Sequence, residues 1–168
     1  MASVTEHLPA GVEPGTVDVV LLIFAFSALN PRQWAQAVRN VWLALRPGGE
    51  VCFRDYGRGD LAQVRFKKGR LLEENFYIRG DGTRVYFFDI EELRKIWDGH
   101  LAQVLPEFGL AEDDEKKAVL EDAKDAPAFE VLALAADRRL LVNRQKQLKM
   151  YRCWMQGRFR KPQSSARS

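Results

Sequence analysis

The chain has 168 residues, 46% hydrophobic and 29% charged, with a formal net charge of +3, the makeup of one soluble globular domain long enough to bury a core. Its longest apolar run, Val17 to Leu29, carries Asp18 and Ser27 and falls short of the ~18 uncharged residues a membrane span needs, while Met1 to Gly15 lacks the order of a secretory signal or transit peptide. Cys52 and Cys153 have no CxxC spacing or histidine beside them, so no metal site or disulfide framework is indicated and a reducing, cytoplasmic setting fits best.

In chain order, Thr16 to Phe24 is β-branched and almost wholly apolar, which predicts a parallel strand covered on both faces. Asn30 as cap and Pro31 in the first turn open a helix whose apolar face is Trp34, Val38, Val41, Trp42 and Leu45. Arg46-Pro47-Gly48-Gly49 stops it and leads into a second strand, Glu50 to Asp55. Strand, helix and strand with short links predict a right-handed crossover with the two strands as parallel neighbours. Arg58 to Arg84 is punctuated by glycines and reads as irregular; between Arg54 and Arg84 stand eight Lys or Arg. Asp89-Ile90-Glu91-Glu92 supplies the acidic first turn of a helix running to about Trp97. From Pro106 to Pro127, eight Asp or Glu against three Lys read as an exposed acidic insertion. Phe129 to Leu134 and Leu148 to Phe159 read as antiparallel neighbours at the end of a sheet, and about 160–168 as a disordered tail. Arg138 to Ser168 holds ten Lys or Arg and no Asp or Glu, leaving 16 basic against 23 acidic residues elsewhere. Such a block is either a polyanion-binding element or a solvated tail.

Four features can carry chemistry. Phe24, Ala25, Phe26 and Ser27 follow the first strand, where ligands bind in open α/β sheets; the two rings either sandwich a flat ligand or pack the next helix. Arg54-Asp55-Tyr56 ends the second strand, and charges there are either in use or paired. Gly57-Arg58-Gly59-Asp60-Leu61-Ala62 matches a dinucleotide-binding fingerprint, with Asp81 about twenty residues on. A core-facing helix should follow it, and Arg65-Phe66-Lys67-Lys68-Gly69-Arg70 does not read as one. Basic residues from Arg65 to Arg84, interleaved with Phe66, Phe76 and Tyr77, suit either single-stranded RNA or a charged surface.

Taken together, LIFAFSALNP, LRPGGEVCFRDYGRGDLAQVRFKKGRLLEENFYIRGDGTRVYFF and DRRLLVNRQKQLKMYRCWMQGRFRKP resemble, in order, the carboxy-terminal portion of the tRNA N3-methylcytidine methyltransferases. The resemblance covers Gly11 to Trp97 and Asp137 to Pro162, with the acidic segment as an insertion. It implies an α/β fold: a partial class I methyltransferase (Rossmann-like) sheet, strands four to seven with flanking helices, the first three strands absent. The whole chain is then one half of a single domain. It also implies S-adenosylmethionine as cofactor, N3 of the position-32 cytidine in a tRNA anticodon loop as acceptor, and an aminoacyl-tRNA synthetase or other helper as a candidate partner.

On that resemblance, Asp55 is the candidate carboxylate facing the charged base, with Arg54 or Tyr56 on O2 or a flanking phosphate. Leu22, Ile23, Phe24 and Ser27 are candidates for the cofactor pocket. Arg65, Lys67, Lys68, Tyr77, Arg79, Arg84, Arg138, Arg139, Arg144 and Lys146 are candidates for RNA contact. Two other readings stay open: a noncatalytic RNA- or partner-binding fragment, and a nicotinamide-dependent oxidoreductase built on the Gly57 motif.

Overall fold

The computed structural model describes residues 8–105, 113–145 and 148–163; Lys146 and residues 164–168 of the expected tail lie outside them. Strand β1 (Val17–Ile23) pairs in parallel with β2 (Leu45–Tyr56), from Val17 opposite Leu45 to Ile23 opposite Arg54. The link between them starts as read: Asn30 Oδ1 accepts from the Arg32 amide and Gln33 Oε1 from the Asn30 amide, both at 3.0 Å. These bonds satisfy amides that a helix start otherwise leaves open. Helix α1 (Trp34–Ala44) follows and buries Trp34, Ala35 and Val38. Leu45 is not its last apolar residue but the first of β2, in extended backbone.

Strands β6 (Glu130–Asn143) and β7 (Leu148–Arg160) form the expected antiparallel hairpin. β7 inserts next to β2, also antiparallel, so the sheet order is β1-β2-β7-β6. The hairpin outruns its apolar cores because only Trp154 to Arg160 of β7 faces β2. Beyond that, the two-stranded ribbon carries Arg138 and Arg139 exposed to solvent and Arg152 paired with the buried Asp60. β7 continues through Arg160, and Lys161 donates to the carbonyls of Trp42 and Leu45 at 2.7 Å, so the chain stays anchored where a tail was expected to begin.

The stretch read as irregular holds a second antiparallel sheet, β3 (Leu71–Glu73), β4 (Phe76–Ile78) and β5 (Arg84–Tyr86). Three-residue strands leave no periodicity to read. One helical turn, α2 (Leu61–Val64), precedes it. Helix α3 (Ile90–Trp97) starts at Asp89, whose side chain and that of Glu92 cap it reciprocally. The acidic segment does more than project into solvent: α4 (Asp113–Lys124) leads into the buried Ala123 and Ala126, packs Val119 and Leu120 on the core, and has Asp122 gripped by Arg39 at 2.6 Å.

The core lies on one face of the larger sheet. Val51, Phe53 and Phe159 meet Phe26, Trp34, Phe88 and Trp97 there, with Trp97 stacked on Phe159 at 4.8 Å. Each such fully buried side chain contributes about 1.5–3 kcal/mol. β1 departs from expectation, being covered on one face only: Val19, Leu21 and Ile23 are 51%, 67% and 49% exposed. Among the described residues no helix is long and apolar enough to cross a membrane.

Candidate active site at the strand ends

β1 ends in an unfavourable turn. Phe24 sits at φ 52, a left-handed conformation that costs a non-glycine residue about 1–2 kcal/mol, while its amide still donates to the Arg54 carbonyl at 2.8 Å. The turn sends Phe26 and Ser27 inward, 1% and 2% exposed, and leaves the Phe24 ring 39% exposed.

Asp55 holds this turn. Its Oδ2 accepts from the Ser27 amide and its Oδ1 from the Tyr56 amide, each at 2.9 Å, and the residue has no exposed surface. Burial pushes its carboxyl above the usual carboxylate range against the opposing pull of the Ser27 bonds. The strand's two-residue alternation explains the placement. Val51, Phe53 and Asp55 face the core, and Cys52, Arg54 and Tyr56 face the other way. Asp55, expected to face an acceptor base, instead lies on the core side behind the turn with both oxygens on backbone amides. The same alternation turns the half-buried Leu22 onto the core and burial encloses Ser27, while Ile23 and Phe24, of the four expected cofactor contacts, are exposed.

On the outward face a group of rings and guanidiniums assembles. Phe24 lies 4.9 Å from Tyr56 and 6.4 Å, edge-on, from Trp154; Tyr56 and Trp154 are direct cross-strand partners. The Arg54 guanidinium stands 4.6 Å over Trp154 and Arg152 5.1 Å over the same ring, while Arg79 stands 5.2 Å over Tyr56. Carboxylates fix two of these cations: Asp137 takes Arg54 at 3.3 Å and Asp60 takes Arg152 at 2.8 Å. The hydrogen bond from Arg139, with the Arg54 charge beside it, holds the Asp137 carboxyl below its ordinary range. Trp154 Nε1 is buried without a hydrogen-bond partner among the described residues. Rings and fixed cations in alternation can grip a flat, anionic ligand.

Arg54, Tyr56 and Phe24 of the strand ends thus lie together, and Arg79, expected only among the RNA contacts, joins them. Tyr77 joins indirectly, stacked on Phe66 at 4.6 Å and linked through Phe87 to Tyr56. Arg65, Lys67 and Lys68 are exposed after α2, and Arg84 lies over Phe76 at 5.9 Å. Arg138, Arg139 and Arg144 are exposed on the hairpin. Trp154, Arg152 and Asp137 were missed. Their signal is the alternation in Tyr151 to Phe159, which puts Arg152, Trp154, Gln156 and Arg158 on one face.

The dinucleotide reading fails on geometry. After Gly57 and Gly59 comes a single helical turn, and Asp60, fully buried, puts its own carboxylate on the Ala62 and Cys153 amides at 2.8 and 2.9 Å. A pyrophosphate has no room or charge match there. Gly57 is required for another reason: a Cβ would stand 2.8 Å from both Cys153 Sγ and Met155 Cε. Among the described residues no group of three or more His, Cys, Asp or Glu is placed to hold a metal ion.

No family profile matches the chain. A tRNA(Thr) (cytosine(32)-N(3))-methyltransferase of Saccharomyces cerevisiae is 51% identical over 163 residues, 97% of this chain and 22% of that protein. A tRNA N(3)-methylcytidine methyltransferase of Schizosaccharomyces pombe is 44% identical over 93% of this chain and 42% of its own length, and a human tRNA N(3)-cytidine methyltransferase 43% over 94% and 34%. The chain is therefore homologous to a portion of tRNA N3-cytidine methyltransferases and spans well under half of each. Among solved structures, a SAM-dependent methyltransferase from Methanosarcina mazei superposes with a TM-score of 0.52 at 13% identity, over 93% of this chain and 64% of that one. That likeness bears out the mixed α/β, partial Rossmann-like methyltransferase fold.

Proposed function

We propose that this chain forms the acceptor side of a site that moves a methyl group from S-adenosylmethionine to N3 of a cytidine in a tRNA anticodon loop, at position 32. The observation that supports it most is the cluster of Phe24 and Tyr56 at the carboxyl ends of adjoining parallel strands with Trp154 of the antiparallel β7 beside them, in a chain half identical to part of an enzyme named for that cytosine. Cytosine N3 carries a free lone pair in the neutral base, so no residue has to remove a proton first. The protein's tasks are placement and stabilisation of the positive charge arriving on the ring. Tyr56 and Phe24 supply ring surface for the base, Asp137-braced Arg54 takes O2 or a neighbouring phosphate, and Asp55 keeps the Phe24 turn in register from behind. N3 is engaged in a duplex, so the target is unpaired, as in a loop.

S-adenosylmethionine, when bound, supplies the electrophilic sulfonium methyl. The residues present fit one wall of its site: Ile23 and Phe24 offer exposed apolar surface where β1 ends, and the inward Leu22 and Ser27 shape that wall from beneath. The chain spans well under half of each relative, and in this reading the ribose and amino-acid contacts fall to the portion it does not span. Isothermal titration of the 168-residue chain should show only weak cofactor binding; micromolar affinity would overturn the half-site reading. Fused to the portion of the S. cerevisiae relative that it does not span, the chain should transfer labelled methyl to a tRNA(Thr) transcript and lose at least tenfold in rate on a transcript with uridine at position 32. Equal rates on both would overturn the acceptor assignment.

A further inference from the structure

Resting on that reading of the partner as RNA, we infer that the cleft between the Arg58–Gly59 loop and the β6–β7 hairpin seats one further unpaired nucleotide, its phosphate on the arginines and its base on Tyr151. The cleft adjoins the ring cluster of the methyl-transfer site, since Arg152 borders both. It encloses about 460 Å³, within the ~300–1,000 Å³ typical of small-molecule sites. Arg138 pairs with Cys153 and Leu140 with Tyr151 across the hairpin, so these four side chains share the face that forms one wall. Arg58 and Gly59 form the other.

Both walls are braced. Asp60 ties the loop to the Arg152 guanidinium and the Cys153 amide, the Arg58 amide donates to the Phe88 carbonyl at 2.9 Å, and Arg58 Nη2 reaches Glu92 at 3.3 Å. Gly59, at φ 82, adds no side chain to fill the gap. Four arginines border the hollow, Arg58, Arg138, Arg139 and Arg152; Arg138 shares the Tyr151 face of the hairpin, while Arg139 and Arg152 are cross-strand partners on the other face. Three have carboxylate partners that fix them, and Arg138 has no ion-pair partner among the described residues. With the other three arginines paired to carboxylates, Arg138 leaves the cleft a net positive charge, and such a hollow concentrates anions. Tyr151 is 65% exposed and the neighbouring Leu140 45%; an apolar ring at the lip of a cationic cleft is what an unstacked base needs. A free phosphate would use the arginines and ignore the ring, which is the difference the experiment reads.

Binding of the full chain to a fluorescent anticodon stem-loop RNA is measured against salt, with wild type, Arg138→Gln, Tyr151→Ala and Tyr151→Phe. All change exposed side chains, and melting curves check that each variant is folded. Arg138→Gln should reduce the slope of log affinity against log salt by about 0.7–1. Tyr151→Ala should weaken binding ~5- to 150-fold with the slope kept, and Tyr151→Phe should bind as wild type. Wild-type affinity and slope in Arg138→Gln and Tyr151→Ala would overturn this inference while leaving the methyl-transfer reading standing. Displacement by inorganic phosphate at constant ionic strength, with Tyr151→Ala silent, would make the cleft a free-anion site and also overturn it. No RNA binding by wild type would sink both.

Discussion

Asp55 and Tyr56 are adjacent in β2 and do opposite jobs. Asp55 faces the core, fully enclosed and committed to two backbone amides; Tyr56 faces outward into a group of rings and guanidiniums. The contrast extends to whole faces of the sheet. Inward lie aromatic packing and buried carboxylates that tie loops to strands; outward lie cations braced by acids and rings with open surface. A strand tip can carry function on one face only because the other face fixes the backbone beneath it, so loss on the inner face should appear as instability and loss on the outer face as weakened binding.

Three substitutions test that division. The largest effect is expected from Asp60→Ala, which strands the Arg152 guanidinium and the Ala62 and Cys153 amides together. Urea unfolding should show a loss of about 3–5 kcal/mol, and a loss below about 1 kcal/mol would break the account of how the Gly57–Asp60 loop is pinned.

Asp55→Asn is intermediate. An amide sets an N–H against one of two backbone N–H groups, which costs about 1–3 kcal/mol. The sign of its pH dependence follows from the raised carboxyl of Asp55. Stability from a raised acid is fully present below the unfolded value near 3.9 and is lost as pH climbs through the folded value. The urea midpoint of wild type should therefore decline relative to that of Asp55→Asn between about pH 4 and neutrality; a gap that widens in favour of wild type would contradict the buried placement.

Arg158→Gln, which removes an exposed outer-face pair with Glu50 at 2.8 Å, should move the urea midpoint least, since solvent and salt screen such pairs. A shift comparable to that of Asp55→Asn would erase the distinction between the faces.

Much of this was legible in residue order. Asn30 announced its helix because a capping side chain acts within three residues, the acidic turn from Asp89 to Glu92 announced the next by its charge at a helix start, and Val17 to Ile23 announced a strand by β-branched run alone. Which way Asp55 points was also readable, since Val51, Phe53 and Asp55 step by two, but the charge at the strand tip drew attention to chemistry and away from parity. The insertion of β7 beside β2, and with it the pairing of Trp154 with Tyr56, depends on contacts about a hundred residues apart that no local pattern encodes. Strands β3 to β5 were hidden by their length. The uncovered face of β1 was also misread, because an apolar run states what a strand prefers and not what surrounds it.

The β6–β7 hairpin carries one more consequence. Past Trp154, among the described residues, its two strands lean on each other and on the Gly57–Asp60 loop, so this ribbon behaves as a cantilever clamped at that loop. Amide protons of Leu140 to Val142 should trade with deuterium well ahead of those of Leu134 to Ala136, and severing the clamp would lengthen the free arm rather than unfold its root.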